Sequence, residues 1–366
     1  MGDKMTGIKV GVVGVGNCFA GLYQGLEHYK KTGNTVVGIM NEKLGPYSWS
    51  DIEFVAAWDV SKHKVGKELS EAQYAKPNFV NYINKQDMPK TEVIVKESPK
   101  LDGVGKYVED WFEPIEQTKP AEELRKDIIQ EIKHKQIDVL VNYLPVGSQK
   151  AVEFWADICL ETKTAFVNCM PVFIASDPEW HQKFKEAGVP AIGDDIKSQV
   201  GATIVHRVLT KLCDDRGARV KHTYQLNVGG NTDFKNMLER ERLVSKKVSK
   251  TESVQSQLKK RLHNDSIHIG PSDFILFLKN TKICFIKMEA ESWAGIPLKL
   301  DLKLEVDDKA NSGGVVVDAI RLAKIAKDRN IGGSIDEASA YLFKHPRVQY
   351  SDAEAKELIQ KFARGD

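Results

Sequence analysis

The run IKVGVVGVGNCFAG at residues 8–21 decides the fold of the first half of the chain. Its opening part is almost continuously apolar, as a strand buried on both faces of a parallel sheet must be. A turn with two glycines follows, and then a helical pattern begins. Bare glycine backbone lets a dinucleotide diphosphate approach closely, and the helix N-terminus offers it free N–H groups. We therefore predict a cofactor-binding turn formed by Gly14, Gly16, Asn17 and Cys18.

The glycine spacing of this turn is incomplete, because Phe19 stands where a dinucleotide motif usually has its third glycine. An ordinary tight turn therefore remains an alternative. A second buried strand, FVAAWDV at residues 54–60, contains Asp59, whose carboxylate could accept hydrogen bonds from the ribose diol of NAD. Asp59 lies further along the chain than is usual for such an acid, and we interpret residues 34–51 as an inserted loop.

Helical and strand patterns then alternate, with helices at 120–135 and 151–160 and strands at 138–144, 164–169 and 189–192. This alternation predicts an α/β fold with a Rossmann-type, doubly wound parallel sheet that binds ligands at the carboxyl ends of its strands. Polar or turn-forming residues stand at these ends: Asn142, Leu144, Pro145, Asn168, Asp194 and Asp195. They are candidates for the cofactor site, although the asparagines could equally cap turns.

The second half of the chain begins with a predicted helix at 202–215, after which apolar and polar residues alternate at 220–228, 283–288 and 298–306. Such alternation is typical of half-buried strands. It predicts an open antiparallel sheet, whose apolar face needs a cover of helices or of another subunit.

A long helix follows this sheet, with Asn311 or Ser312 as its predicted N-cap. We therefore predict an NAD-binding Rossmann-type domain at residues 1–200 and 310–366. The inserted α+β domain at residues 201–309 would serve catalysis and oligomerisation.

The stretch NVGGNTDFKNMLERERLVSKKVSK at residues 227–250 carries a glycine turn and a charged helix. Lys246 and Lys250 are four residues apart, so their ammonium groups share one side of the helix. Val244 and Val248 lie about 200° away, so one side could pack while the other presents two positive charges. Taken alone, such a lysine pair also fits an ordinary solvated surface.

The composition limits the partners that the chain can bind. With 53 basic and 51 acidic residues, the 366-residue chain has no global field that would attract nucleic acid or a membrane. No apolar run approaches the roughly 20 residues of a membrane span, and the N-terminus lacks a signal-peptide core, so we expect a cytoplasmic protein. Five scattered cysteines predict free thiols. A divalent or monovalent cation stays open, because Asp195 and Asp308 could serve an ion or a lysine.

Five segments resemble, in order and across nearly the whole chain, the myo-inositol-1-phosphate synthase family in its shorter, prokaryotic-type branch. They are GVGNCFAG, LPVGS, GDDIKSQVGAT, LNVGGNTDFKNM with SKKVSK, and YLFKHP. The resemblance implies a homotetrameric isomerase that converts D-glucose 6-phosphate to 1L-myo-inositol 1-phosphate, the first step of inositol and hence inositol-phospholipid biosynthesis. It also implies NAD as cofactor and a redox-neutral course of oxidation at carbon 5, enolisation, intramolecular aldol cyclisation and re-reduction.

The resemblance also implies site residues. The family's catalytic lysines match Lys246, Lys250, Lys282 and Lys344. Its motifs place Asp195 and Ser198 beside nicotinamide and substrate, and an active-site acid that contacts the cofactor at Asp308. Further substrate and cofactor contacts are implied for Asn227, Asn231 and Asp233.

Our mechanistic hypothesis divides the work among the lysines, because crowded ammonium groups favour a neutral amine on at least one of them. Lys246, relayed by Asp233, would be the acid and base at carbon 5, with help from Lys344. Lys250 and Lys282 would stabilise oxygen at carbon 1. Ser198 and Asn227 would position substrate, whose own phosphate would remove the carbon-6 proton.

Two other functions compete with this hypothesis. An ordinary NAD-dependent dehydrogenase of a small phosphorylated substrate would carry the same glycine turn, but it would accumulate NADH. A non-catalytic NAD-sensing protein would need few ionisable groups near the nicotinamide, which GDDIKS, SKKVSK and YLFKHP argue against. The segment at 230–260 could also become ordered only when a phosphate binds.

Overall fold

The computed structural model describes residues 7–33 and 37–365. Their strands form a parallel sheet of seven strands, a mixed sheet of four strands and a small hairpin. The predicted inserted loop at 34–51 contains this hairpin, β2 (Lys43–Leu44) and β3 (Tyr47–Ser48), whereas residues 34–36 lie outside the described residues. The N-terminal residues 1–6, used in the signal-peptide argument, also lie outside them.

The larger sheet confirms the predicted doubly wound, Rossmann-type architecture. Its strands in spatial order are β13 (Gly333–Ser334), β8 (Pro190–Gly193), β7 (Ala165–Asn168), β6 (Val139–Asn142), β1 (Ile8–Val13), β4 (Ile52–Asp59) and β5 (Val95–Glu97). All neighbouring pairs are parallel. The carboxyl ends of the strands therefore meet along one edge.

Helices cover both faces of this sheet. They are α1 (Asn17–Thr32), α2 (Leu69–Ala72), α3 (Glu109–Phe112), α4 (Ala121–Lys135), α5 (Gln149–Thr162) and α6 (Pro178–Ala187). Val10 and Val12 pack on the side of α1, whereas Val13 and Leu140 pack on the side of α4 and α5. The central strands are mostly apolar because helices cover both faces of the sheet.

The second sheet follows α7 (Ala202–Asp215), which matches the predicted helix. Its strands and the helices between them are β9 (Arg219–Gly229), α8 (Thr232–Asn236), α9 (Val244–Gln255), β10 (Ile267–Phe274), β11 (Thr281–Glu291) and β12 (Pro297–Asp307). The spatial order is β10-β9-β11-β12. One face packs on α7 through Val220, Cys284 and Met288.

The prediction of a purely antiparallel sheet was wrong. Strand β10 pairs with β9 in parallel, while β11 pairs with both β9 and β12 in antiparallel fashion. The chain crosses between β9 and β10 through α8 and α9, and a crossover of that length brings a strand back in the same direction. The alternation pattern missed β10 because Gly270 and Pro271 interrupt its sequence.

The long helix after β12, α10 (Ala310–Asp328), begins earlier than predicted. Its N-terminal N–H groups at Lys309 and Ala310 donate to the carboxylate of Asp307, at 2.9 Å each. Asn311 is therefore not the N-cap, and its side chain bonds the backbone of Val200 instead. Helix α10 returns to the large sheet, and α11 (Asp336–Leu342) and α12 (Asp352–Arg364) complete the tail.

The predicted domain boundary at residues 200 and 201 falls between the two sheets, because β8 ends at Gly193 and β9 begins at Arg219. The division of the chain into two domains stays a prediction. Among the described residues, no helix is both long and apolar enough to cross a membrane. The five cysteines are free thiols.

Candidate functional site

A large cavity lies between the carboxyl edge of the parallel sheet and the second sheet, and it contains about 1590 Å³ of space that is partly open to solvent. The parallel sheet contributes the segments that follow its strands, from Gly14 after β1 to Ser198 after β8. The second sheet contributes Gln225, Ser272 and Lys282, and helix α9 contributes Lys246 and Lys250. Six lysines and four aspartates line the cavity, so two positive charges are in excess when all are ionised.

The predicted glycine turn forms one end of this cavity. Gly14 has φ +90°, and a Cβ there would lie 2.7 Å from the carbonyl oxygen of Tyr143, so only glycine fits. A Cβ on Gly16 would meet open space, and Gly16 is the N-cap of α1 with no side chain bonding the first N–H groups. Phe19 is fully buried against Tyr23. The turn therefore leaves backbone donors facing free space, as an incoming diphosphate requires.

Asp59 lies beside the turn, but its carboxylate already has partners. One oxygen accepts from the N–H of Val15 at 2.8 Å, and the other accepts from the N–H groups of Val60 and Ser61. The ammonium group of Lys64, also buried, is 3.8 Å away. Asp59 thus holds the glycine turn in place, and a ribose contact would have to share these oxygens.

Asn142 does not reach the cavity wall described here, whereas Leu144 and Pro145 do. Its side chain accepts from the N–H of Leu144 and donates to Asn168 at 2.8 Å. Asn168 donates in turn to Asp194 at 2.6 Å. Burial raises the pKa of Asp194 to about 6 in spite of the hydrogen bonds that it accepts. This buried chain fixes the loops at the strand ends, so the turn-capping alternative describes the asparagines better.

Helix α9 presents Lys246 and Lys250 to the cavity, and its valines face outward. Lys250 is 5 % exposed, whereas Val244 is 70 % and Val248 is 41 % exposed. The lysines therefore face the cavity as predicted, whereas the valine side, which could have packed, is left on the surface.

Three of the four predicted catalytic lysines have a carboxylate partner in the cavity. The nitrogen of Lys246 lies 3.0 Å from Asp233. The corresponding distances are 3.1 Å from Lys282 to Asp308 and 2.7 Å from Lys344 to Asp195. The hydroxyl of Ser249 also donates to Asp195, at 2.7 Å.

Lys250 is the exception, because no carboxylate among the described residues forms an ion pair with it. Burial, reinforced by the charges of the neighbouring lysines, lowers the pKa of Lys250 to about 7. Burial also lowers the pKa of Lys344, which Asp195 only partly offsets. Burial opposes the charge of Lys246 too, but Asp233 and Asp195 outweigh it and raise the pKa of Lys246. The cavity therefore holds charged lysines around Lys250, whose amine has a pKa near neutral pH.

The aspartates of these pairs stay ionised. Burial opposes their charge, but the lysines lower the pKa of Asp195 and of Asp233. The same balance holds the pKa of Asp308 well below its usual range. The expected crowding of ionised groups is thus present at the predicted positions.

The other predicted residues divide between the cavity wall and the layer behind it. Ser198 and Cys18 line the cavity. Asn227 lies on β9 behind the described wall, and it accepts from Gln225 at 3.1 Å. Asn231 caps α8 by accepting from the N–H of Asp233. Their side-chain nitrogens, like the hydroxyl of Ser272 in the wall, are buried and have no hydrogen-bond partner in the described structure.

Several site residues were missed by the sequence analysis. Lys309 lines the cavity at 3 % exposure and donates to Asp308 at 3.0 Å. Lys64 is fully buried next to Asp59, and Ser272 stands on the unpredicted strand β10. The signal for Lys309 was its place directly after two aspartates at the start of a helix.

A buried charged cluster behind the cavity joins the last helix to the site. Asp352 on α12 binds Lys197 and Arg207, each at 3.1 Å. Arg207 also donates to the carbonyl of Ser253 on α9 at 2.7 Å. Burial and then the charge of Arg207 lower the pKa of Lys197 to about 7. The cluster ties the helix that carries Lys250 to the C-terminal helix.

Known proteins are similar to this chain in sequence and in architecture. A family model described as myo-inositol-1-phosphate synthase matches residues 201–309. The inositol-3-phosphate synthase of Mycolicibacterium smegmatis is 50 % identical over 371 residues, covering 100 % of each chain. A crystal structure of Ari2 is 32 % identical with a TM-score of 0.76, covering 98 % of both chains. A myo-inositol-1-phosphate synthase-related protein from Thermotoga maritima is 25 % identical with a TM-score of 0.80, covering 97 % of this chain and 98 % of that one.

The full-length identity to a curated relative agrees with the motifs that carry the resemblance and with the cavity where those motifs meet. The chain therefore belongs to the myo-inositol-1-phosphate synthase family and is an enzyme of the inositol-3-phosphate synthase type.

Proposed function

We propose that this enzyme converts D-glucose 6-phosphate to 1L-myo-inositol 1-phosphate with NAD as a bound, recycled cofactor. The observation that carries the proposal is that the four predicted catalytic lysines and an open glycine turn share one cavity. Relatives that are 48 to 50 % identical over nearly the whole chain bear the name inositol-3-phosphate synthase. The product would supply inositol phospholipid biosynthesis.

The residues present fit a dinucleotide. Gly16 leaves space and free backbone donors at the N-terminus of α1, and Gly14 allows the tight turn that precedes it. The side-chain nitrogen of Asn231 and the hydroxyl of Ser272 are buried without a partner in the described structure, so a ligand could satisfy them. NAD supplies reversible hydride transfer at carbon 5 when it is bound. Gly14, Gly16, Asn17 and Cys18 would hold its diphosphate.

The excess of positive charge in the cavity suits a phosphorylated sugar. An anionic substrate offsets the mutual repulsion of the lysines, so the cavity gains electrostatic stability on binding. Ser198 would position the substrate from the wall, and Asn227 from behind it. A small phosphate ester also agrees with the composition of the chain, because its balanced charge gives no global field that would attract nucleic acid.

The shifts in the pKa values of the lysines favour catalytic roles that differ in part from those of the hypothesis made from the sequence. The pKa of Lys250 is lowered to about 7, so this amine is the one best suited to accept a proton at neutral pH. The pKa of Lys246 is raised by its aspartate partners, so this side chain starts protonated and suits proton donation or oxyanion stabilisation. Lys344, whose pKa is lowered, suits proton transfer as first proposed.

Enolisation and ring closure need stabilised oxyanions more than further bases. Lys246 and Lys282, each 3.0 to 3.1 Å from an aspartate, are fixed in place and would present charge without reorganisation. The phosphate of the substrate would take the carbon-6 proton. The new carbon–carbon bond then joins carbon 6 to carbon 1, whose oxygen becomes an alkoxide and receives a proton from a lysine.

We also propose that the chain works in the cytoplasm as a homotetramer. The outer face of the second sheet exposes Tyr224, Leu226 and Phe285 by 38 to 45 %, and Trp293 at its turn is 90 % exposed. Exposed apolar side chains on a sheet are typical of a subunit contact. Mass measurement in solution checks the assembly state.

A direct assay tests the function. Purified enzyme with D-glucose 6-phosphate and a catalytic amount of NAD⁺ should form inositol phosphate while NADH absorbance stays flat. An ordinary dehydrogenase would instead consume NAD⁺ in proportion to substrate. Failure to form inositol phosphate from glucose 6-phosphate, in a protein that binds NAD⁺, would contradict the proposal.

A further inference from the structure

Lys309 is a buried cation that none of the mechanistic roles above uses. It precedes helix α10, is 3 % exposed and lines the cavity. Its ammonium group donates to one oxygen of Asp308 at 3.0 Å, and Lys282 donates to the other oxygen at 3.1 Å. Asp308 is thus bound by two ammonium groups, although a single one would balance its charge.

The position of Lys309 connects it to the glycine turn. A Cβ on Gly21, in the second turn of α1, would lie 3.1 Å from the carbonyl oxygen of Lys309, so the two backbones are in close contact. Lys309 and Cys18, in the first turn of α1, line the same cavity, and burial raises the pKa of the Cys18 thiol while the charge of Lys309 lowers it. The second positive charge therefore stands where α1 points its free N–H groups into the cavity.

Without the charge of Lys309, this end of the cavity would repel an anion. Asp233 and Asp308 line the cavity together with Cys18 of the first turn of α1, and both carry negative charge. Burial opposes the charge of Lys309, but Asp308 above all raises its pKa well above the usual value. Lys309 consequently keeps its positive charge at neutral pH.

A separate metal ion is poorly accommodated here. Asp195, Asp233 and Asp308 each bind a lysine ammonium group at 2.7 to 3.1 Å. Within residues 7–33 and 37–365, no group of three or more His, Cys, Asp or Glu side chains is placed to hold a metal ion. The carboxylates of this cavity are therefore committed to lysines.

We propose that Lys309 is a further cofactor-binding residue, whose ammonium group is the built-in cation that lets a dinucleotide diphosphate bind next to Asp233 and Asp308. The inference rests on the proposed use of NAD. Its consequence is that the enzyme binds NAD⁺ without added ammonium, alkali-metal or divalent ions.

The test compares NAD⁺ affinity, measured by titration calorimetry, in the full-length protein and its variants after dialysis against a chelator. We expect Lys309→Ala to weaken NAD⁺ binding roughly 10- to 100-fold, the size of one hydrogen bond to a charged group. Ammonium chloride should restore much of that affinity, because the ion fits the space that the side-chain nitrogen leaves. Tetramethylammonium chloride at equal ionic strength should not. Lys247→Ala, exposed on α9, is the matched control and should bind like wild type.

Two further variants keep the test decisive if Lys309→Ala does not fold. Lys309→Arg retains the charge and should bind NAD⁺ within a few-fold of wild type, whereas Lys309→Met, of similar length, should not. Wild-type affinity in Lys309→Ala or Lys309→Met would overturn the inference, as would a wild-type enzyme that loses NAD⁺ binding on dialysis and regains it with an added cation. A wild-type protein that never binds NAD⁺ would instead overturn the proposed function.

Discussion

Replacing Lys250 with methionine should stabilise the protein while it abolishes turnover. Lys250 is 5 % exposed, and burial with neighbouring lysines lowers its pKa from 10.5 to about 7. At about 1.36 kcal/mol per pH unit, this shift opposes folding by roughly 4 kcal/mol near pH 7. Methionine has a similar length and no charge, so Lys250→Met should raise the free energy of unfolding by about 2 to 4 kcal/mol.

The lowered pKa also fixes how this gain depends on pH. Between about pH 7 and about pH 10 the unfolded chain binds a proton at position 250 that the folded wild type has released. Stability of the wild type therefore rises with pH in that window, and Lys250→Met lacks this contribution. The advantage of the variant should be near its full size at about pH 7 and below, and it should shrink as the pH rises toward about 10.

Urea unfolding followed by circular dichroism at a series of pH values measures this difference, and inositol phosphate formation measures turnover. Lys247→Met, on the exposed side of the same helix, serves as the control and should change neither quantity. A Lys250→Met protein that is less stable than wild type at neutral pH, or whose advantage does not vary with pH, would refute this reasoning.

Three other substitutions test the site from different sides. Lys246→Ala should abolish inositol phosphate formation and leave NAD⁺ affinity nearly unchanged, and an equal loss of both would point to a structural role. Asp352→Asn should lower the free energy of unfolding by about 2 to 3 kcal/mol, less than a fully buried pair, since its side chain is 24 % exposed. Its kcat should also fall because α9 loses an anchor through Arg207; unchanged stability in thermal unfolding would contradict the role of the cluster. Gly14→Ala should be destabilised by about 1 to 3 kcal/mol and should bind NAD⁺ weakly, because its Cβ has no room, and wild-type calorimetric binding would show otherwise.

The sequence was sufficient for the parallel sheet because its strands are buried on both faces. Runs such as Ile8–Val13 and Val139–Asn142, which are almost continuously apolar, are typical of that setting. Strand β10 was missed for the opposite reason, since Gly270 and Pro271 break its pattern while backbone pairing with β9 still forms on both sides of them. The local sequence cannot report such pairing, which depends on where α8 and α9 return the chain.

The site residues show a similar division. The motifs that resemble the family were enough to predict one site that contains Lys246, Lys250, Lys282 and Lys344, and all four line one cavity. The motifs could not predict the protonation state of each lysine, because its pKa depends on which carboxylate it contacts in the fold. Apolar periodicity predicted the packing side of α9 wrongly. It assumes that buried means apolar, and a helix that serves a charged cavity reverses that assumption.

The arrangement of charges explains why one lysine of the cavity differs from the rest. Lys246, Lys282 and Lys344 are each held by an aspartate and contribute charge at fixed positions. Those fixed charges, together with burial, hold the pKa of Lys250 near neutrality. A carboxylate beside Lys250 would stabilise the folded protein and would also remove the neutral amine. We therefore expect the absence of such a partner within the described residues to lower the stability of the folded protein, and this absence fits the role of base that we propose for Lys250.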